Sequence, residues 1–167
     1  DIYICGATNQ AGQLYFQKGG NFVKQPQKLF ETMAFFEDTA AEFIDVDSDG
    51  DQDLYVGSGG NEHEPAEKLT IDRLYLNDSK GNFSFAQGAI PNNTMNTSCI
   101  APHDFDADGD IDIFIGNRSI PKIYGQKPSQ LLLINNGKGQ FKNEIKTIAP
   151  DLEYAGMVRA ASWADLD

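Results

Sequence analysis

No apolar run in the sequence approaches the roughly 18 residues of a membrane-spanning helix, so direct insertion into a bilayer is not expected. The chain of 167 residues holds two cysteines, two histidines and one tryptophan. So few cysteines make neither a disulfide-rich scaffold nor a thiolate metal centre. Basic residues are also scarce, 13 Lys and Arg against 25 Asp and Glu, for a formal net charge of −12. A surface of that sign does not displace counterions from nucleic acid or anionic lipid, which argues against both as partners. No nucleophile motif, phosphate loop or zinc signature is present. What is present is a 40% apolar and 11% aromatic composition, that of a globular protein with a core.

The acid residues are unevenly placed. Thirteen of the 25 lie in alternating runs or their fragments: Asp1, Asp45, Asp47, Asp49, Asp51, Asp53, Asp104, Asp106, Asp108, Asp110, Asp112, Asp165 and Asp167. The remaining 12 balance the 13 cations, so an electrically ordinary protein carries concentrated anionic loops.

Those loops repeat. "AAEFIDVDSDGDQDLYVG" (40–57) aligns with "CIAPHDFDADGDIDIFIG" (99–116), "AASWADLD" (160–167) begins a third copy, and "DIYICG" ends an earlier one at Asp1. Downstream, "QLYFQKGGNF", "RLYLNDSKGNF" and "QLLLINNGKGQF" each read as strand, Gly-containing turn and strand. One period thus holds four short strands, the pattern of a β-propeller blade. The expected fold is all-β, a partial propeller of four-stranded antiparallel blades with a metal loop between the first and second strands of each. The expected divisions are a partial blade at 1–33, full blades at 39–86 and 98–145, and the start of another at 158–167. Known propellers need at least about four blades, so a segment of one larger domain is expected. No helical period extends far, although "EKLTIDRL" permits one turn.

Carboxylates on alternate residues of a tight turn converge, and at ~4 Å and an effective dielectric of ~20 each like-charge pair costs on the order of 4 kcal/mol. A hard cation with oxygen ligands relieves this, and Ca²⁺ accepts more protein oxygens at looser geometry than Mg²⁺. In D-x-D-x-D-G-x-x-D, side chains of Asp45, Asp47, Asp49 and Asp53 and the carbonyl of Asp51 are the expected ligands, with Gly50 closing the loop. The second copy offers Asp104, Asp106, Asp108, Asp112, the carbonyl of Asp110, and Gly109. Asp165 and Asp167 begin one further site and Asp1 ends another. The rival, an EF-hand, needs a Glu at the twelfth position and flanking helices, whereas an Asp closes this loop at the ninth and strand-like "LYVG" and "IFIG" follow.

These loops, with the downstream "LY-N-x-x-G-x-F" element, resemble FG-GAP and VCBS-type repeats of calcium-bearing β-propellers, the blade plan also seen in integrin α-subunit heads. "GSGGNE" (57–62), "GNRSIPKIYGQKPSQLLLINNGKGQF" (116–141) and "GMVRAASWADLD" (156–167) further resemble the propeller part of the ASPIC/UnbV group. The literal F-G-x-x-A-P stretch is absent, so the integrin likeness extends to the metal loop and blade plan. The resemblance implies an extracellular, cell-surface or periplasmic binding or scaffold module with Ca²⁺ in its loops.

Other residues have plainer readings. Cys5 aligns with Gly57 and Gly116, and Cys99 with Ala40 and Ala160, so two buried free thiols are expected. His63 sits in a mixed-charge surface loop. His103 adjoins Asp104 and can hydrogen-bond the metal loop. Phe43, Pro102 and Trp163 share a packing position. Asn77, Asn82, Asn92, Asn96 and Asn117 open N-x-S/T triplets, which turn chemistry accounts for as well as glycosylation does. The connections 7–12, 58–72 and 117–129 and the linkers 25–38, 87–97 and 145–157 are expected on the face opposite the metal loops, where a protein or glycan ligand is expected to dock. The alternative is a propeller-fold lyase or glycosidase, for which Glu42, His103 and Tyr154 are the available acid-base residues.

Overall fold

Alternating side chains build strands that bury both faces. The computed structural model describes residues 1–62 and 68–166. Its elements are β1 (Ile2–Ile4), β2 (Gln13–Lys18), β3 (Asn21–Gln25), α1 (Lys28–Thr32), β4 (Glu37–Ile44), β5 (Asp53–Gly59), β6 (Arg73–Asn77), β7 (Phe83–Phe85), β8 (Asn96–His103), β9 (Asp112–Ser119), β10 (Leu131–Ile134), β11 (Lys142–Asn143) and α2 (Ile145–Ile148). They form three antiparallel meanders in the orders β1-β2-β3, β4-β5-β6-β7 and β8-β9-β10-β11. Strands flank both complete acidic loops, which removes the EF-hand reading.

The sheets are stacked face on face. Leu54, Val56 and Tyr75 of the second sheet pack against Leu14 of the first, with Phe30 of α1 in the same cluster. Tyr55 and Leu74, on the opposite face, meet Ile113, Ile115, Leu131 and Leu133 of the third sheet. The other face of the third sheet, with Cys99, Phe114 and Leu132, is covered by Val158 and Trp163. Every residue of β5 is consequently buried.

The sheet junctions repeat as well. Asp38 N–H donates to the carbonyl of Gly6 (2.9 Å), and Val158 N–H donates to that of Asn117 (3.1 Å). Thr97 occupies the same place over Gly57, whose absent Cβ would lie 2.4 Å from Thr97 Cγ2. At Gly116 a Cβ would lie 2.5 Å from Val158 Cγ1. The glycines at these two positions therefore answer to close packing between sheets. They do not answer to a left-handed backbone.

Three expectations need correction. The long strands extend beyond their expected limits: β4 and β8 begin at Glu37 and Asn96, while β5 and β9 continue to Gly59 and Ser119. Irregular pairing between Asp38 and Ala40, and around Thr97, lets each ladder continue past a register shift. The linkers also contain the one-turn helices α1 and α2, too short to leave a periodic signal. Both cysteines are free, but only Cys99 is buried. Cys5 is exposed because β1 is the edge of its sheet and lacks the strand that β4 and β8 lay beside Gly57 and Gly116. His63 and Glu64 lie outside the described residues. The "EKLTIDRL" turn appears as a 3-10 turn at Lys68–Thr70.

Replacing Gly57 with Ala forces a methyl group into Thr97 and is expected to cost about 1–3 kcal/mol. Urea unfolding in constant calcium measures it. An unchanged midpoint would mean that β8 does not seat on β5 as described.

Candidate metal centres and the opposite end

In the first acidic loop Ser48 and Gly50 take positive φ (60° and 91°), and in the second Ala107 and Gly109 take 60° and 97°. This shared curl turns alternate carboxylates inward. Asp45, Asp47 and Asp49 each bring one oxygen within 4.8 Å of the others, and Asp104, Asp106 and Asp108 do the same. The first aspartate of each set holds the curl through Gly50 N–H to Asp45 Oδ2 and Gly109 N–H to Asp104 Oδ2, both 3.1 Å. Its other oxygen is different. Asp45 Oδ1, Asp47 Oδ1 and Asp104 Oδ1 are buried atoms without a hydrogen-bond donor in the protein. Orphaned carboxylate oxygens aimed among like charges are what a hard cation satisfies, so the residues fit a metal ion. Burial first, and then the neighbouring Asp49, Asp45 and Asp51, raise the Asp47 carboxyl above its ordinary range.

The remaining expected ligands do different work in the protein itself. Asp53 and Asp112 are almost completely buried. Asp53 Oδ1 accepts from Asn77 N–H (2.8 Å) and its Oδ2 from Val46 N–H (3.1 Å). Asp112 repeats the pair with Asn135 N–H (2.8 Å) and Phe105 N–H (3.2 Å). Each is a clamp between acidic loop, second strand and hairpin. Burial pushes the Asp53 carboxyl up to about 6, against those two backbone donors, and raises Asp112 as well. Asp1 Oδ1 accepts from Gln17 N–H at 2.8 Å, the same bond one repeat earlier.

Asp51 and Asp110 are half-buried and reach the neighbouring hairpins, and Asp51 Oδ1 is a further buried oxygen without a donor in the protein. Asp51 Oδ2 accepts from Ser79 of the neighbouring hairpin (2.8 Å), and Asp110 lies so close to Gly137 that a Cβ there would be 2.5 Å from its Oδ2. Asp165 is exposed and joins no acidic triplet among the described residues. Asp167 lies outside them. His103 stacks on Trp163 with ring centroids 5.2 Å apart, while Trp163 Nε1 donates to Ala101 O (3.0 Å), so both serve sheet packing. Glu42 and His103 border one open depression, with Trp163. Tyr154 lies in the 145–157 linker, away from that depression.

The opposite end holds a polar network that the sequence reading did not single out. Asp72 is buried, and its carboxylate accepts from Tyr55 OH (3.0 Å), Ser58 N–H (2.8 Å), Asn93 Nδ2 (3.0 Å) and Thr97 OH (2.9 Å). Asn117 joins through Asn93 and Thr97. One repeat later Gln130 Oε1 takes the place of Asp72, accepting from Asn117 N–H at 2.5 Å. A second buried group joins the first two sheets: Arg73 pairs with Asp38 at 2.5 Å, which also accepts from Tyr3 OH and Gly6 N–H. The guanidinium stacks over Phe36, 4.2 Å from its centroid. These contacts bring Ser58, Asp72, Asn93, Thr97, Asn117 and Ser129 together at the end remote from the aspartate loops. Asn96 and Asn117 are fully buried, which removes them as glycan acceptors, and Asn77 Oδ1 accepts from Asp78 and Gly81 N–H as a turn residue.

A family model for FG-GAP-like repeats matches residues 45–115, from the first aspartate of one loop to the strand after the second. Nothing among curated proteins matches the chain. The match covers the two acidic loops and the hairpin between them, and it makes this stretch similar to an FG-GAP-type repeat.

Two outcomes are expected. Asp53→Asn puts an amide N–H against a backbone donor and lowers stability by about 1–3 kcal/mol with or without calcium. Asp47→Asn instead leaves stability in chelator unchanged or higher, because it relieves like-charge repulsion, and reduces only the gain from added calcium. Urea unfolding of both variants in each buffer checks this.

Asp72 gives a pH dependence. Burial raises its carboxyl above the unfolded value of about 3.9, against its hydrogen bonds. Among the described residues the only titratable group that meets it is the Tyr55 phenol, itself raised by burial, while Arg73 is turned to Asp38. An acid raised on folding stabilises fully below pH ~4, and that contribution disappears as pH rises through the folded value. Wild type is therefore expected to lose stability relative to Asp72→Asn as pH rises from 4. A relative gain would contradict the assignment.

Proposed function

We propose that the chain is a calcium-stabilised, non-catalytic recognition or scaffold module of the β-propeller type, built from FG-GAP-like repeats and acting outside the cytoplasm. The observation that carries this reading is the pair of matching loops in which three carboxylates converge, with buried oxygens of Asp45, Asp47 and Asp104 lacking any donor. Ca²⁺ suits them better than Mg²⁺, because several protein oxygens of flexible geometry are offered together. Asp45, Asp47 and Asp49, and Asp104, Asp106 and Asp108, hold the ion, with the carbonyls of Asp51 and Asp110 completing each set. Bound there, calcium supplies countercharge that fixes the first and second strands of a sheet. It supplies no reaction.

The blade reading is supported by the stacked four-stranded meanders and their repeated junctions, with limits near 39–86 and 98–145. The finer likeness, to the propeller region of ASPIC/UnbV-group proteins, rests on the glycine-rich segments after β5 and β9. Ligand docking belongs to the end remote from calcium, where the connections differ in length and chemistry around a common buried network. The location proposed is cell-surface, secreted or periplasmic, because a calcium dissociation constant on the order of 10⁻⁴ M is useful only where the ion is abundant.

Titration calorimetry with CaCl₂ is expected to show two sites of dissociation constant on the order of 10⁻⁴ M. Millimolar calcium then raises the unfolding free energy by about 1.4 kcal/mol per site, and equal magnesium raises it less. Absence of uptake at millimolar calcium rejects the reading.

A further inference from the structure

Between Asp112 and Glu144 the chain has no acidic residue but carries Arg118, Lys122, Lys127, Lys138 and Lys142, in a protein whose formal charge is −12. The first three lie at the end of β9 or in its connection to β10, remote from the aspartate loops. Pro121 and Pro128 of that connection are buried, and residues 122–127 between them are all exposed. At the centre is Tyr124, 101% exposed, beside Ile123 at 39%.

The arm is shaped and not merely long. Ile123 N–H donates to Ile120 O (3.1 Å), and Ile120 and Ile123 form an antiparallel bridge. Lys122 and Gly125 take positive φ of 59° and 78° around the tip. At its root Gln130 N–H donates to Glu153 O (2.8 Å), and Gln130 Nε2 donates to Gly156 O (2.9 Å). These bonds tie the arm to the segment carrying Tyr154, which is 54% exposed. A fully hydrated aromatic ring on a turn braced in this way loses little conformational entropy on binding. Arg118, Lys122 and Lys127 concentrate positive charge on the arm itself in a molecule of formal charge −12, so an anionic partner is drawn to the arm.

We propose that the 121–128 arm is a docking element for an anionic polysaccharide, a reading that rests on the recognition role proposed above and names its ligand class. Tyr124 stacks on a sugar ring, and Arg118 and Lys127 meet sulfate or carboxylate substituents. The small size of the arm favours a glycan over a folded protein. A stable protein interface needs about 800 Å² from each partner, more than six residues supply, whereas one ring and two cations match one charged sugar unit.

Binding of the calcium-loaded chain to dextran sulfate, neutral dextran and poly-glutamate tests this by biolayer interferometry over a range of salt. Dextran sulfate is expected to bind at least tenfold more tightly than either other polymer and to weaken as salt rises. Tyr124→Ala is expected to lose about tenfold in affinity, with the salt dependence retained. Arg118→Gln combined with Lys127→Gln is expected to flatten the salt dependence. Unfolding midpoints in calcium show that each variant is folded. Equal binding of poly-glutamate, no binding of dextran sulfate, or unchanged affinity in Tyr124→Ala overturns the proposal. Calcium-dependent stability persisting in that case leaves the recognition module standing, whereas its absence removes the reading on which the proposal rests.

Discussion

Like charge gathered at the root of a buried strand is the constraint on which the rest of this structure depends. Five aspartates stand within nine residues in each complete loop, and the next residues enter a strand that is fully buried after the first loop and buried through Asn117 after the second. The loop resolves the conflict by dividing the labour. Asp53 and Asp112 lose their solvent but gain two backbone donors each, so their charge holds the hairpin and loop to the strand. The first three aspartates of each set converge, and Asp45, Asp47 and Asp104 each keep a buried oxygen that no protein donor reaches. In this account the cation supplies what the chain withholds.

The same logic of paired ends governs sheet stacking. At the loop end Asn135 Nδ2 donates to Val46 O (2.8 Å), so the hairpin of the third sheet braces the acidic loop of the second. At the other end Asp72, Asn93, Thr97 and Asn117 bind the second sheet to the third through neutral donors. Between the ends lie apolar clusters on both faces of each central sheet. A rigid stack of this kind leaves its exposed connections free to differ, and the Tyr124 arm occupies one of them.

Much of this was legible in the residues, and the reasons are local. Aspartates at period two followed by "LYVG" or "IFIG" fix both loop and strand, because each position has a strict inward or outward sense. The hairpins announce themselves through Gly81, Gly137 and Gly139, all at positive φ. Asp72 and Arg73 gave no such signal. Each is a single charged residue at a strand start, and only the folded packing shows that one receives four kinds of donor and the other pairs with Asp38 at the start of β4. Alignment assigned Cys5 to a buried slot correctly by position, but β1 is an edge strand and the slot is open there. Alignment also treated the five loop aspartates as one ligand set, and only the fold shows that Asp53 and Asp112 hold two backbone donors each as well.

Anomalous diffraction from crystals grown in calcium addresses the central claim most directly. The account predicts one ion among Asp45, Asp47 and Asp49 and another among Asp104, Asp106 and Asp108, each with carboxylate oxygens at 2.3–2.6 Å. Ordered loops with those carboxylates turned to solvent and no ion between them would contradict it.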